Sequence, residues 1–232
     1  MKTVVIPTLN EAANIGLLIQ EIFQKLGASE TRVVIVDDGS TDGTCDTVRA
    51  LKQRYDSVTL LERENRRGLG SAVRYGTEHV TDGPVAVMDA DFSHSPHYLP
   101  IMFDEVTKGF DLVIGSRYIS GGNTIGWPGT RIAISKFATL LARKLFALSV
   151  RDPMSGFFVV RSAEIINDSI QDADFKLLLE LVVKNRVMKI REVPIIFRER
   201  TKGKSKLGGR TMLFYIWLLL KLILNTGRGQ KR

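Results

Sequence analysis

Apolar runs rich in Val and Ile recur along the first half of the chain, at Thr3 to Pro7, Arg32 to Asp37, Val58 to Glu62, Pro84 to Asp89 and Leu112 to Gly115. Continuous runs of this length read as strands buried on both faces. Between them, residues 12–27, 42–54, 69–80 and 97–108 repeat apolar side chains at helical spacing. Strand and helix alternate four times, which predicts an α/β architecture with a mainly parallel central sheet covered on both faces. After residue 116 the pattern changes to a Gly-rich loop (Gly121 to Gly129), a long helix from about Arg131 to Leu148, a strand over Gly156 to Arg161, a helix near 174–184 and a strand near 188–197. The last apolar run, Met212 to Leu224, is broken by Lys221 and is shorter than the roughly 20 residues of a membrane-spanning helix. It predicts a C-terminal amphipathic interfacial helix, and divides the chain into a main body, residues 1–210, and a membrane-interface helix with a basic tail, residues 211–232.

Composition narrows the class. With 232 residues, 44% of them hydrophobic and 25% charged, the chain can bury a substantial core, which excludes disordered and collagen-like classes. A single cysteine, Cys45, excludes an intrachain disulfide and suits a reducing compartment. The apolar stretch Val4 to Ile6 runs at once into Pro7, Asn10 and Glu11, so no signal peptide is expected. Charge is partitioned along the chain: residues 1–110 carry 11 basic and 16 acidic side chains, a net −5, and residues 111–232 carry 22 and 9, a net +13. An acidic half suited to a cation thus precedes a basic half suited to phosphates or an anionic surface.

In open α/β sheets, ligands sit beyond the carboxyl ends of the strands, here Pro7 to Glu11, Asp37 to Ser40, Asp89 to Ser93 and Gly115 to Arg117. Three familiar motifs fail. Gly68-Leu69-Gly70 lacks the third glycine of a dinucleotide fingerprint, Gly203-Lys204-Ser205 lacks the first glycine of a P-loop, and the oxygen-rich run Asp38 to Gly43 ends on Arg49 where a calcium loop needs Glu. Asp89-Ala90-Asp91 is the strongest chemical feature, because two carboxylates at i, i+2 after a strand can hold Mg2+ or Mn2+ together with substrate phosphates, and Ser93 adds a weak hydroxyl. An Asp-rich turn capping the next helix is the plain alternative. Asp37-Asp38-Gly39-Ser40 is explained by a turn, or by a carboxylate accepting hydrogen bonds from a ribose or base. Arg117 ends a strand, and Arg131 and Ser135 share one helix face, a grouping suited to an anion. Six basic residues between Arg198 and Arg210 adjoin the aromatic-rich apolar run at Met212, as in segments that meet anionic lipid.

Together these residues resemble a family-two inverting glycosyltransferase, specifically the polyprenol-phosphate (dolichol-phosphate) mannosyltransferases, over roughly residues 2–210. The resemblance rests on Ile-Pro-Thr-Leu-Asn-Glu (6–11), Val-Asp-Asp-Gly-Ser-Thr-Asp-Gly-Thr (36–44), Gly-Leu-Gly-Ser-Ala (68–72), Met-Asp-Ala-Asp (88–91), Gly-Ser-Arg-Tyr (115–118), Trp-Pro-Gly-Thr-Arg (127–131) with Ser135, Asp-Pro-Met-Ser-Gly-Phe (152–157) and Lys-Ser-Lys-Leu-Gly-Gly (204–209). It implies a Rossmann-like nucleotide-sugar transferase (GT-A) fold. Pro7, Leu9, Glu11, Val36, Asp38, Asp89, Ala90 and Asp91 would bind the nucleotide sugar, with Arg200 and Lys206 clamping its diphosphate. Asp91 and Ser93 would hold the metal, and Arg117, Arg131 and Ser135 the acceptor phosphate, so that Asp89, Asp91 and Arg117 carry the catalytic roles. Ser93 stands where many relatives have Gln, and Leu9 where Tyr is frequent.

The implied reaction is metal-dependent, inverting transfer of mannose from GDP-mannose to dolichyl or polyprenyl phosphate, giving dolichyl-phosphate mannose and GDP. The acceptor phosphate is already anionic, so no strong protein base is needed, and the histidines (His79, His94, His97) lie in none of the acceptor positions. The implied location is peripheral, on the cytoplasmic side of an anionic membrane, with room for a small membrane-anchoring subunit. A polyprenyl-phosphate glucosyltransferase using UDP-glucose is the alternative within the class. A nucleic-acid-binding protein would account for the +13 half but leaves the acidic strand ends without a role, so no nucleic acid is expected. A non-catalytic membrane scaffold would have no need of Asp89 and Asp91.

Overall fold

Along the first strand, β1 (Lys2–Thr8), Val4 and Ile6 face one hydrophobic core and Val5 the other, the two-sided burial expected of a central parallel strand. The computed structural model describes residues 1–64, 68–170, 176–199 and 215–224. The chain continues through α1 (Ala12–Leu26), β2 (Thr31–Asp37), α2 (Thr44–Arg54), β3 (Val58–Glu62), α3 (Leu69–Thr77), β4 (Val85–Val87), α4 (Leu99–Thr107) and β5 (Leu112–Ser116). There follow β6 (Asn123–Ile125), α5 (Gly129–Phe146), β7 (Phe158–Val160), α6 (Ala163–Ser169), α7 (Leu177–Lys184), β8 (Ile190–Pro194) and β9 (Ile196–Arg198).

The main sheet has the order β3-β2-β1-β4-β7-β5-β8, and β7 alone runs antiparallel, to both β4 and β5. Two reversals cancel, so β5 is parallel to β4, and the ends of β1, β2, β4 and β5 open on one edge. Strand order reverses beside β1, which pairs with β2 on one side and β4 on the other. That crevice is where such sheets bind ligands. α1 and α4 pack on one face and α3, α6 and α7 on the other. Gly76 of α3 lies so close to the sheet that an added Cβ would come within 2.7 Å of a Val5 methyl and 2.8 Å of a Val36 methyl.

Three differences from the expected pattern have local causes. The single strand expected near 188–197 is two, because the chain leaves the main sheet after Pro194 and β9 pairs with β6 in a separate parallel ribbon. β6 itself lies within the Gly-rich stretch. α6, absent from the expectation, is one short helix following Ser162. α7 is apolar apart from Glu180 and Lys184, and Leu177 through Val183 are all buried, as a nearly all-apolar helix requires, with Glu180 paired to Lys184 at 2.6 Å.

The helix over 215–224 is seated on the body. Tyr215, Leu218, Leu219 and Leu222 share a core with Ala138, Ala142 and Phe146 of α5 and with Leu179 and Val183 of α7, and the Tyr215 hydroxyl donates to the Ala138 carbonyl at 2.6 Å. Its other face leaves Ile216, Trp217, Leu220 and Leu224 exposed, and α5 likewise exposes Ile134, Phe137 and Leu140. No helix among the described residues is long and apolar enough to cross a membrane.

Candidate active site

In the parallel register Thr8 lies opposite Asp37, so the loops that follow β1 and β2 start side by side. Asp37 organises both. Its Oδ1 accepts the amides of Gly39 (3.1 Å) and Ser40 (2.7 Å), and its Oδ2 the hydroxyls of Ser40 (2.6 Å) and Thr8 (2.9 Å). Asn10, at φ 58°, joins the loops further by accepting the Thr41 amide and donating its own to Ser40 Oγ, and the Glu11 amide donates to Thr44 Oγ1. Burial alone would raise the pKa of Asp37, but the hydrogen bonds from Ser40 and Thr8 outweigh it and hold the carboxyl below its usual value. A depressed folded pKa gives stability that is complete above the unfolded value, about 4, and is lost as pH falls through the folded one. Asp37→Asn is therefore expected to be less stable than wild type at pH 7 and to converge on it below about pH 4 in urea unfolding series. Parallel pH curves would contradict this.

Asp38, the expected nucleotide ligand of this loop, is paired with Arg63, whose Nε donates to Asp38 Oδ1 at 2.6 Å. Arg63 also donates to Ser71 Oγ and the Gly68 carbonyl, fixing the start of α3 beside the crevice. Sequence reading gave Arg63 no role. Pro7, Leu9 and Glu11 are half-buried at the same edge. Val36 has no exposed surface and its side chain lies in the core, so the nucleotide contact expected of it has no surface to form on. Ala90 is likewise buried.

Past β4, Asp89, Asp91 and Ser93 lie in one tight turn. Asp91 Oδ1 accepts the Ser93 amide at 3.0 Å, and Phe92 adopts φ 59°, a left-handed conformation that costs a bulky residue of order 1–3 kcal/mol and persists only where the surroundings enforce it. Ser93 is buried and its Oγ has no hydrogen-bond partner. Behind the turn stands His94, stacked on Phe157 at 5.2 Å and met edge-on by Phe197. Burial pushes its pKa down, and Nδ1 accepts the Asp89 amide at 3.3 Å. The ring is thus neutral with its proton on Nε2, and the 3.6 Å approach of Nδ1 to the Asp89 carboxylate is not an ion pair. Gly156 leaves room here, since a Cβ would come within 3.2 Å of His94 and 3.4 Å of Asp89 Oδ2.

Two carboxylates and an orphaned buried hydroxyl are hard oxygen donors of the kind Mg2+ and Mn2+ take. Among the described residues no group of three or more His, Cys, Asp or Glu is arranged to hold a metal. A cation at Asp91 would need the rest of its shell from water and a substrate diphosphate, as Mg2+ commonly does.

The basic side is built on an ion pair that sequence reading missed. Arg117 is buried, and its Nε and Nη2 each donate to Asp152 at 2.8 Å, while its amide donates to Oδ2 at 3.0 Å. Burial disfavours the guanidinium charge, and the Asp152 carboxylate more than restores it. Tyr118, Trp127 and Phe197 rings lie 5.1–5.6 Å from the guanidinium carbon. Arg131 lies over Trp127 at 4.0 Å and donates to Glu199 Oε1 at 2.6 Å, and Ser135 Oγ accepts the Tyr118 hydroxyl at 2.7 Å. The expected trio Arg117, Arg131 and Ser135 is therefore brought together, each member engaged by a protein partner. The Trp127–Phe197 and Phe197–His94 contacts and the Arg198 amide donating to the Ser93 carbonyl tie this pocket to the acidic turn. Half-buried Lys176, at the start of α7, is a further unforeseen neighbour. Burial and Arg117 push its pKa down to about 8, against the pull of Asp152 and Asp89. Arg200 and Lys206 lie outside the described residues.

Residues 3–166 match the family model for glycosyl transferase family 2, and the chain belongs to that family. It is 35% identical over 223 residues to the dolichol-phosphate mannosyltransferase of Pyrococcus furiosus, across 95% of this chain and 63% of that protein. It is 35% identical over 232 residues to the Saccharomyces cerevisiae dolichol-phosphate mannosyltransferase, across 95% and 86% of the two chains. With the polyprenol monophosphomannose synthase of Mycolicibacterium smegmatis the identity is 34% over 215 residues, covering 89% and 80%. The chain thus spans less than two thirds of the archaeal relative's length and most of the other two. Glucosyl-3-phosphoglycerate synthase from Mycobacterium tuberculosis, solved with Mn2+, uridine diphosphate and phosphoglyceric acid, shares the fold at a TM-score of 0.75 and 22% identity, over 96% of this chain and 78% of that one. The expected α/β nucleotide-sugar transferase (GT-A) fold is the one observed.

Proposed function

We propose that this glycosyltransferase transfers mannose from GDP-mannose to a polyprenyl (dolichyl) phosphate with inversion at the anomeric carbon. The observation that carries the reading is the adjacency of an acidic turn, Asp89 to Ser93, and a pocket of two guanidiniums, Arg117 and Arg131, joined through His94, Phe197 and Trp127. A donor diphosphate with its cation suits the first, and an acceptor phosphate the second. The names of the relatives support mannose and a polyprenyl phosphate.

Asp91 and Ser93 would hold Mg2+ or Mn2+, and the bound cation would offset charge on the departing diphosphate. Asp89 is steadied by His94 at its amide, and the neutral, buried imidazole adds no charge to the turn. Asp38 and the loop that Asp37 organises would receive the nucleoside, together with Pro7, Leu9 and Glu11. Arg200 and Lys206 would complete the diphosphate site. Arg131 and Ser135 would orient the acceptor phosphate for in-line attack. Arg117, with Nε and Nη2 bound to Asp152, has Nη1 to offer it. The acceptor supplies its own anionic nucleophile, so the pocket needs no general base.

Arg131→Ala is expected to raise the KM for polyprenyl phosphate by one to two decades, the loss of about 1.5–3 kcal/mol from a charge-assisted hydrogen bond, with little change in the KM for GDP-mannose. An equal effect on both substrates would make Arg131 a scaffold residue.

We also propose that the exposed apolar faces of α5 and of the helix over 215–224 rest on an anionic membrane, where the acceptor's head group lies. Deleting residues 211–232 would uncover Ala142, Phe146 and Leu179 as well, so substitution is the cleaner test. Joint Phe137→Asp, Trp217→Asp and Leu220→Asp changes are expected to release the protein from anionic liposomes without loss of fold. Unchanged sedimentation would contradict it.

A further inference from the structure

The two arginines of the basic pocket are each matched by a carboxylate, and the two pairs differ in kind. Asp152 grips Arg117 through two guanidinium bonds and an amide, and has no exposed side-chain surface. Glu199 holds Arg131 through one bond, Nη1 to Oε1 at 2.6 Å, with side chains 18% and 35% exposed. Removing the first anion would strand a buried charge, which is strongly destabilising. The second can exchange with an incoming anion at little structural cost.

The backbone holds Glu199 in place for this contact. Its amide donates to the Ile125 carbonyl at 2.9 Å, extending the β6–β9 ribbon. Gly126, at φ 88°, faces it, and a Cβ there would come within 3.0 Å of the Glu199 Cβ. The Arg131 guanidinium carbon lies 4.0 Å from the centre of the Trp127 ring, so its planar fork is braced by the indole before any ligand arrives.

The geometry points to Glu199 as a built-in competitor for the acceptor phosphate: its carboxylate pairs with Arg131, must leave for polyprenyl phosphate to bind there, and returns to help expel the product. This rests on the reading of Arg131 as an acceptor-phosphate residue. The chemistry is anion exchange at one guanidinium. A phosphomonoester carries about −1.5 to −2 charge near neutral pH and three acceptor oxygens, and displaces a tethered monocarboxylate. Once the sugar is attached the phosphate is a monoanionic diester, and the carboxylate is a stronger rival.

Competition of this kind has a quantitative signature. A ligand's apparent Kd is its intrinsic Kd divided by the fraction of protein with Arg131 open. If Glu199 occupies Arg131 about nine-tenths of the time, removing the competitor tightens every phosphate ligand of that pocket about ten-fold, acceptor and product alike.

The test is equilibrium binding of a short polyprenyl phosphate, and separately of its mannosyl phosphodiester, to the full chain in detergent micelles, without donor. Glu199→Gln and Glu199→Ala are compared with wild type, alone and combined with Arg131→Ala. The expected result is that both Glu199 variants lower both Kd values by a similar factor of about ten, and that the gain vanishes in the Arg131→Ala background. Weaker or unchanged acceptor binding in the Glu199 variants, with Arg131→Ala still impairing it, would overturn the proposal and make Glu199 a positioning residue for Arg131. If Arg131→Ala itself leaves acceptor binding unchanged, the acceptor-site reading fails, and the proposal with it.

Discussion

Asp91→Asn is expected to abolish divalent-dependent sugar transfer, lowering kcat/KM by about three orders of magnitude, the scale of losing a preorganised electrostatic stabiliser of the transition state. The change removes one negative charge from a turn whose other donors are one carboxylate and a neutral hydroxyl. Asn keeps the size of the side chain and an oxygen to accept the Ser93 amide, so the left-handed turn at Phe92 persists and thermal unfolding moves by no more than about 3 °C. Mn2+ titration of the protein with GDP should show the same loss without turnover. Ser93→Ala is expected to cost far less, because a neutral hydroxyl offsets little cation charge. Wild-type-like turnover in Asp91→Asn would refute the metal assignment.

Asp152→Ala is expected to have the largest effect on stability. Asp152 has no exposed side-chain surface and Arg117 has 8%, so truncation leaves a buried guanidinium and a buried amide without their acceptor. Breaking a buried pair from one side costs about 3–5 kcal/mol, which for a chain of this size lowers the unfolding midpoint by about 10 °C. Asp152→Asn, which keeps the shape and loses the charge, should fall between. A loss below about 1 kcal/mol would place Arg117 in water, contrary to the geometry.

The central sheet was legible in the sequence because its strands are buried on both faces and show as unbroken Val/Ile runs, and the strand ends Pro7 to Glu11, Asp37 to Ser40, Asp89 to Ser93 and Arg117 do share one edge. Pairings across long sequence separations were not legible. Asp152 lies 35 residues from Arg117, and Glu199 lies 68 from Arg131, so both arginines read as free cations awaiting phosphate. Asp152 and Glu199 are two of only nine acidic side chains in the basic half, which is the signal that could have marked them. The residue pattern alone did not separate Asp37 from Asp38 and the resemblance singled out Asp38, whereas the strand register opposite Thr8 makes Asp37 the organiser of the loop and leaves Asp38 to Arg63. In the terminal helix, an apolar run nearly without polar positions gave no means of telling the packed face of Tyr215, Leu218 and Leu222 from the outward face of Trp217 and Leu220.

The most direct test of the proposed activity is incubation of the full chain with GDP-mannose, a short polyprenyl phosphate and Mn2+, with UDP-glucose in a parallel reaction and the anomeric configuration of the product read by NMR. Equimolar GDP and β-mannosyl polyprenyl phosphate are expected, formed only when both acceptor and divalent cation are present. Preferential transfer from UDP-glucose, or a product retaining the α configuration of the donor, would contradict it.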